Sequence, residues 1–130
     1  MFDTFEGLPS TNEKDDVSMN KNQYSASYDL VSRYLQNYPR IFLHRGFFPR
    51  ETSDRVKDKK FAFVHLDVDL YQSTLESLEF FYPRMSKGGI ILSHDYSSLK
   101  GVNSAFNEFF ADKPESIIEL STSQCLVVRV

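Results

Sequence analysis

Two short segments of this chain constrain its fold more than any other feature. Residues 61–71 read Phe-Ala-Phe-Val-His-Leu-Asp-Val-Asp-Leu-Tyr, and residues 89–96 read Gly-Ile-Ile-Leu-Ser-His-Asp-Tyr. Each is an apolar run of strand length that ends in acidic residues, and the stretch between them is long enough for one helix. That order describes a βαβ unit, whose crossover makes the two strands parallel neighbours in one sheet. Ligands of open α/β sheets bind beyond the carboxyl ends of the strands, so Asp67, Asp69 and Asp95 stand where chemistry is expected.

The remaining segments fit one α/β domain over residues 1–130. Leu30, Val31, Tyr34, Leu35 and Tyr38 recur at three- and four-residue steps and predict a helix near 26–37, stopped by Pro39. Ile41–His44 reads as a short strand with Arg45–Pro49 as its exit loop, and 53–60 as a short charged helix or turn. Thr74 is the expected cap of a helix carrying Leu75, Leu78, Phe81 and Tyr82, which Pro83 and the Lys87-Gly88-Gly89 run close before a strand at 90–92. Val102, Ala105, Phe106, Phe109 and Phe110 form the apolar stripe of a further helix, stopped at Lys113-Pro114. Residues 117–120 and 125–130 predict a closing β-hairpin. Residues 10–25 are polar without periodicity and read as an exposed loop, open to mobility, whose role would be that of a lid.

Composition narrows the partners. The 130 residues are 41% hydrophobic and 25% charged, which suits a globular core and argues against disorder of the whole chain. A formal charge of −3 with no basic cluster argues against a nucleic-acid or anionic-membrane surface. Small-molecule or protein partners are expected instead. The single Cys125 has no internal disulfide partner and sits in an apolar run, so it reads as a buried structural thiol of a reducing compartment. No apolar stretch reaches membrane-span length and the N-terminus lacks signal-peptide character, so a cytoplasmic protein is expected.

Alternate strand residues share a face, which would point Asp67 and Asp69 into one pocket with their backbones roughly 7 Å apart. Two ionised carboxylates so close repel, and a divalent cation is a common way to hold them; oxygen ligands favour Mg²⁺ or Ca²⁺. Asp95 could complete the site from the neighbouring strand. His94 could add a nitrogen ligand, which would widen the choice toward Mn²⁺ or another transition metal. An acid ending a strand is also often a cap or a turn former, and Asp69 is placed to cap a helix beginning near Tyr71. His44 and His65 read as structural.

Taken together, Phe-Asp-Thr-Phe-Glu-Gly-Leu-Pro at 2–9, His-Leu-Asp-Val-Asp-Leu-Tyr at 65–71, Tyr82-Pro83, Gly88-Gly89 and His94-Asp95-Tyr96 resemble the macrocin O-methyltransferase family. The similarity runs in order from Phe2 to the C-terminus. It implies a partial Rossmann-like, class I methyltransferase fold, with a mostly parallel sheet and a C-terminal antiparallel hairpin. It also implies metal-assisted methylation of a sugar or other small-molecule hydroxyl by S-adenosylmethionine. Carried over residue by residue, the metal ligands are Asp67, His94 and Asp95, with Mg²⁺ or another divalent cation. The proton acceptor is Asp69 or Asp67, and the cofactor contacts are Asp3, Gly46 and Phe47. The family often has Asp-Asp-Tyr where this chain has His94-Asp95-Tyr96.

One departure is larger. None of the five glycines forms a glycine-rich cofactor loop after a strand, and the resemblance places Asp-Thr-Phe-Glu-Gly-Leu-Pro at 3–9 just after the second strand of such a fold. The chain therefore reads as the C-terminal portion of a methyltransferase domain. The strands at 41–44 and 61–67 must then either pair directly or leave the first loosely attached, and the exposed edge of the second would invite pairing with another chain. Homo-oligomerisation stays open on this reading. So do a non-catalytic remnant of the fold and a different metal-assisted α/β enzyme.

Overall fold

A computed structural model describes all 130 residues. Four strands form the main sheet in the order β3-β4-β6-β5: β3 is Phe61–Leu66, β4 Met85–Ser93, β5 Ile118–Glu119 and β6 Cys125–Val128. As expected, β3 and β4 are parallel, with Val64 opposite Ile91 and Leu66 opposite Ser93. β6 then returns antiparallel to β4 and forms the closing hairpin with β5. The strands alternate, so Val64, Leu66, Ile91, Cys125 and Val127 face one side of the sheet, where all are buried. Helices α2 (Tyr71–Phe81) and α3 (Lys100–Phe110) cover that side. They bury Leu78, Phe81, Val102, Phe106 and Phe110 in one core with the strands. Burial pushes the Cys125 thiol up to about 12, which fits the structural role expected of it.

A second, two-stranded sheet stands apart. Residues Phe2–Asp3 (β1) pair in parallel with His44–Arg45 (β2). The expected strand at 41–44 is thus displaced to its last residue and Arg45, and neither forecast for it holds. It does not pair with β3, and it is anchored to β1 instead. Helix α1 spans Tyr28–Leu35, shorter than 26–37 at both ends, because Ser27 caps it by accepting from the Leu30 amide. The segment after 53 forms only a single 3₁₀ turn, Ser53–Arg55.

The N-terminal start of α2 corrects the sequence reading most. Helix α2 begins at Tyr71, and Thr74 lies buried inside it, its hydroxyl donating back to the Leu70 carbonyl at 2.8 Å. Neither Leu70 nor Leu99, the residues preceding α2 and α3, has a side chain that can cap. Two adjacent acids of the 10–25 loop do so from far along the chain. Asp15 Oδ1 accepts from the Tyr71 amide at 2.7 Å, and Asp16 Oδ2 accepts from the Lys100 amide at 2.7 Å. Each carboxylate also meets the positive end of a helix dipole.

The loop is therefore pinned. Its neck is closed by Leu8 N–H donating to Gln23 O and Asn22 N–H donating to Leu8 O, with Gly7 at φ +81° where a Cβ would lie 2.4 Å from Asn22 O. Asp15 is buried, which only a close approach to α3 allows. A Cβ on Gly101 would lie 2.6 Å from Asp15 Oδ1. Lys14 adds an exposed tie to the Tyr71 hydroxyl and Glu108. At the far end of the sheet the buried Glu115 carboxylate accepts from the Tyr82 hydroxyl, the Arg129 guanidinium and the Val130 amide. Burial alone would raise its pKa, but these donors outweigh burial and hold it below the usual value.

Asp15→Ala should cost about 2 kcal/mol in urea unfolding, from a lost cap and an orphaned buried amide. Gly101→Ala should cost about 1–3 kcal/mol by overpacking, and less once Asp15 is already Ala. Because the Glu115 pKa is depressed on folding, its contribution is full above the ordinary carboxylate pKa and drains away as pH falls through the folded value. Stability measured from pH 6 to pH 2 should drop more steeply for the native chain than for Glu115→Gln.

Candidate metal centre

The last rung between β3 and β4 builds the site. His94 N–H donates to Leu66 O at 2.8 Å, so the chain leaves both strands side by side and delivers Asp67 next to His94 and Asp95. One ligand atom from each of these three residues lies within 4.8 Å of the other two. His94 Nδ1 is 2.7 Å from Asp95 Oδ2 and 3.6 Å from Asp67 Oδ1. The hydrogen bond to Asp95 raises the imidazole pKa, with the charges of Asp67, Asp95 and Asp69 adding to it against a smaller effect of burial.

Asp95 is the most firmly held of the three. Its backbone sits in the left-handed region at φ +53°. Ser98 Oγ donates to Asp95 Oδ1 at 2.9 Å and Ser123 Oγ at 3.4 Å. Burial works to raise its pKa, but the hydrogen bonds from His94, Ser98 and Ser123 prevail and the net direction is down. Asp67 is the most open, with 58% of its side chain exposed. Two carboxylates and an imidazole at this spacing fit a divalent cation that accepts both oxygen and nitrogen.

Asp69 does not join this group, nor does it cap α2. β3 ends at Leu66, and Asp69 takes φ +58°, so the simple alternation that would align it with Asp67 is broken. Both residues still line one cleft. Burial pushes the Asp69 carboxyl up to about 6, and the nearby charges of Asp67 and Asp95 push the same way while His94 opposes. A carboxyl poised there exchanges protons readily near neutral pH.

The three residues expected to contact a cofactor lie on this cleft as well. Asp3 ends β1, Gly46 and Phe47 follow β2, and Asp67 to Asp69 follow β3; Thr4, Tyr24, Phe48 and Ser73 complete much of the lining. The carboxyl ends of all three strands thus open on one space. Asp3 Oδ1 is already engaged, accepting from the Phe5 amide at 2.6 Å. Tyr24, Ser98 and Ser123 escaped the sequence reading because each lies in a polar loop with no periodic neighbour.

The family model for macrocin O-methyltransferases matches residues 1–120. The chain belongs to that family. It is 30% identical over 106 residues to the mycinamicin III 3''-O-methyltransferase of Micromonospora griseorubida, covering 72% of this chain and 42% of that protein. It is 27% identical over 119 residues to the demethyldecarbamoylnovobiocin O-methyltransferase of Streptomyces niveus, covering 84% and 45%. The O-methyltransferase NovP superposes on 99% of this chain with a TM-score of 0.82 at 24% identity, and the calicheamicin methyltransferase CalS11 on 98% with 0.77 at 23%. The match covers 58% of each of those two chains. The fold is accordingly the α/β methyltransferase fold in part, and the chain spans less than half the length of the curated relatives it matches. No helix is long and apolar enough to cross a membrane.

Proposed function

We propose that this chain is the C-terminal portion of an S-adenosylmethionine-dependent, divalent-metal-assisted O-methyltransferase acting on a sugar hydroxyl of a glycosylated small molecule. The observation that carries the reading is the convergence of Asp67, His94 and Asp95 beside a cleft on which Asp69, Asp3, Gly46 and Phe47 also open. The acceptor class rests on the relatives, whose names include a mycinamicin III 3''-O-methyltransferase and a 4'-O-methyltransferase of a rhamnosyl-tetracenomycin from Streptomyces olivaceus.

An alcohol is a poor nucleophile because its pKa lies near that of water, and a divalent ion held by Asp67, His94 and Asp95 would lower that pKa by several units. Asp69 takes the hydroxyl proton, for which a pKa near neutrality suits it. When bound in this cleft, S-adenosylmethionine would supply the methyl group and keep the carbon–sulfur bonding electrons as it leaves as a neutral thioether. The Ser98 and Ser123 hydroxyls fix the Asp95 carboxylate, and the aromatic residues Phe47 and Phe48 exclude water from one wall of the cleft. Much of the work is positioning.

One observation favours a second reading, a non-catalytic remnant of the fold: none of the five glycines forms a glycine-rich cofactor loop after a strand. Calorimetric titration of the folded chain with S-adenosylmethionine and Mg²⁺ separates the two. Saturable binding is expected, and its absence would overturn the enzyme reading for this chain. With a rhamnosylated acceptor, Asp69→Asn should lower turnover by about a hundredfold or more while donor affinity changes little. Unchanged turnover would remove Asp69 from the mechanism.

A further inference from the structure

Residues 8–24 join the helix layer to the cleft. In the middle of the segment Asp15 and Asp16 accept from the first amides of α2 and α3, and Asp15 is braced by the Asn12 amide, which donates to its Oδ2 at 2.8 Å. At the two ends Leu8, Pro9, Gln23 and Tyr24 line the cleft. The segment is a strap, fastened on the helices and forming a wall where ligands bind. Tyr24 is the residue of that wall with the clearest mark of function. It takes φ +63°, a conformation that bulky side chains rarely adopt, and yet it stays 67% exposed, so packing does not repay the strain. Its backbone is held on both sides, by Leu8 N–H donating to Gln23 O at 2.9 Å and Ala26 N–H donating to Phe5 O at 3.3 Å. The other aromatic residues of the cleft are engaged: Phe2 stacks on His44, Phe48 stacks on Phe81, and the Arg50 guanidinium lies over the Phe47 ring. The Tyr24 ring is left free on the cleft.

We infer that Asp15 and Asp16 are positioning residues for ligand binding, and that through the strap they hold Tyr24 at the cleft as a stacking platform for a planar heterocycle. The heterocycle, an assignment that rests on the proposed function, is the adenine of the methyl donor. The cleft measures about 160 Å³, less than the roughly 300 Å³ or more that encloses a whole drug-sized ligand, so it takes one ring system of a larger molecule. Of the Asp67, His94 and Asp95 group only Asp67 lines it, which leaves the acceptor hydroxyl outside and the donor's flat end within. A heterocycle with an open π-face stacks on an exposed aromatic ring, and Tyr24 offers one. A polar segment without an apolar stripe would pay the entropy of ordering when the ligand arrives; fastened to two helices, it is ordered beforehand. Linkage makes the effect mutual: a ligand that stacks on Tyr24 must also stabilise the hydrogen bond between Asp16 and the Lys100 amide.

Amide exchange and calorimetric titration with S-adenosylhomocysteine, which has no methyl to transfer, test this in the native chain, Asp16→Ala, Asp16→Asn, Tyr24→Ala and Tyr24→Phe. Without ligand, Asp16→Ala should speed exchange of the Leu8 and Asn22 amides about tenfold or more while β4 keeps its rate, and Asp16→Asn, which still caps, should restore the native rate. Affinity should fall about fivefold or more in Asp16→Ala with the circular dichroism kept, and recover in Asp16→Asn. It should fall at least as far in Tyr24→Ala and stay native in Tyr24→Phe, which keeps the ring. Saturating ligand should slow exchange of the Lys100 amide in the native chain and not in Asp16→Ala. A cap that serves α3 alone would speed exchange in α3 while Leu8, Asn22 and the affinity stay unmoved, and that result overturns the positioning role. Native affinity in Tyr24→Ala overturns the platform. A folded native chain that binds no S-adenosylhomocysteine overturns the proposed function and the adenine assignment together, and the Leu8 and Asn22 rates in Asp16→Ala then decide the positioning role by themselves.

Discussion

Everything chemical about this molecule depends on the register of two parallel strands. With Leu66 opposite Ser93, the side chains at Val64, Leu66, Ile91 and Ser93 turn inward beneath α2 and α3, and the next residues on both strands emerge at the same edge. A slip of one residue would turn every inward side chain outward and draw Asp67 away from Asp95. The core therefore sets the spacing of Asp67, His94 and Asp95 without any dedicated contact between the acids. The helices that enforce the register are tethered by Asp15 and Asp16, two acids contributed by a loop more than fifty residues upstream.

Charge is distributed across this edge unequally, and the inequality supports the proposed roles. Asp95 is surrounded by hydroxyl and imidazole donors and stays ionised, which suits a ligand. Asp69, two residues beyond Asp67, is more buried and faces the charges of Asp67 and Asp95, which suits the proposed proton acceptor. The left-handed backbone at both Asp69 and Asp95 keeps these neighbouring acids out of the regular strand geometry.

Where a signal was local and periodic, the sequence predicted well. The apolar run at 61–67, the stripe of α3, the hairpin at the end and the acidic strand ends all follow from spacing within a few residues, whereas β4 starts at Met85 rather than 90 because Lys87-Gly88-Gly89, read as a helix-closing turn, lies within the strand. The start of α2 was misplaced because its cap is not local. Thr74 looks like a cap by type, yet the amide that needs an acceptor belongs to Tyr71 and finds it at Asp15. The strand at 41–44 was shifted for a related reason: its ladder partner is Phe2–Asp3, a two-residue segment too short to show alternation. Residues 10–25 have no periodicity because their order comes from capping and neck hydrogen bonds, which leave no apolar pattern. The three members of the Asp67, His94 and Asp95 group were legible one by one. That Asp69 would stand aside from them was not, since its positive φ has no sequence signature.

The central claim is that Asp67, His94 and Asp95 hold one divalent ion. Calorimetric or electron-paramagnetic titration of the chain with Mn²⁺, repeated with Asp67→Asn and Asp95→Asn, tests it most directly. The account predicts one saturable site per chain, weakened about tenfold or more by either substitution while the fold is kept. Affinity unchanged in both variants would contradict it.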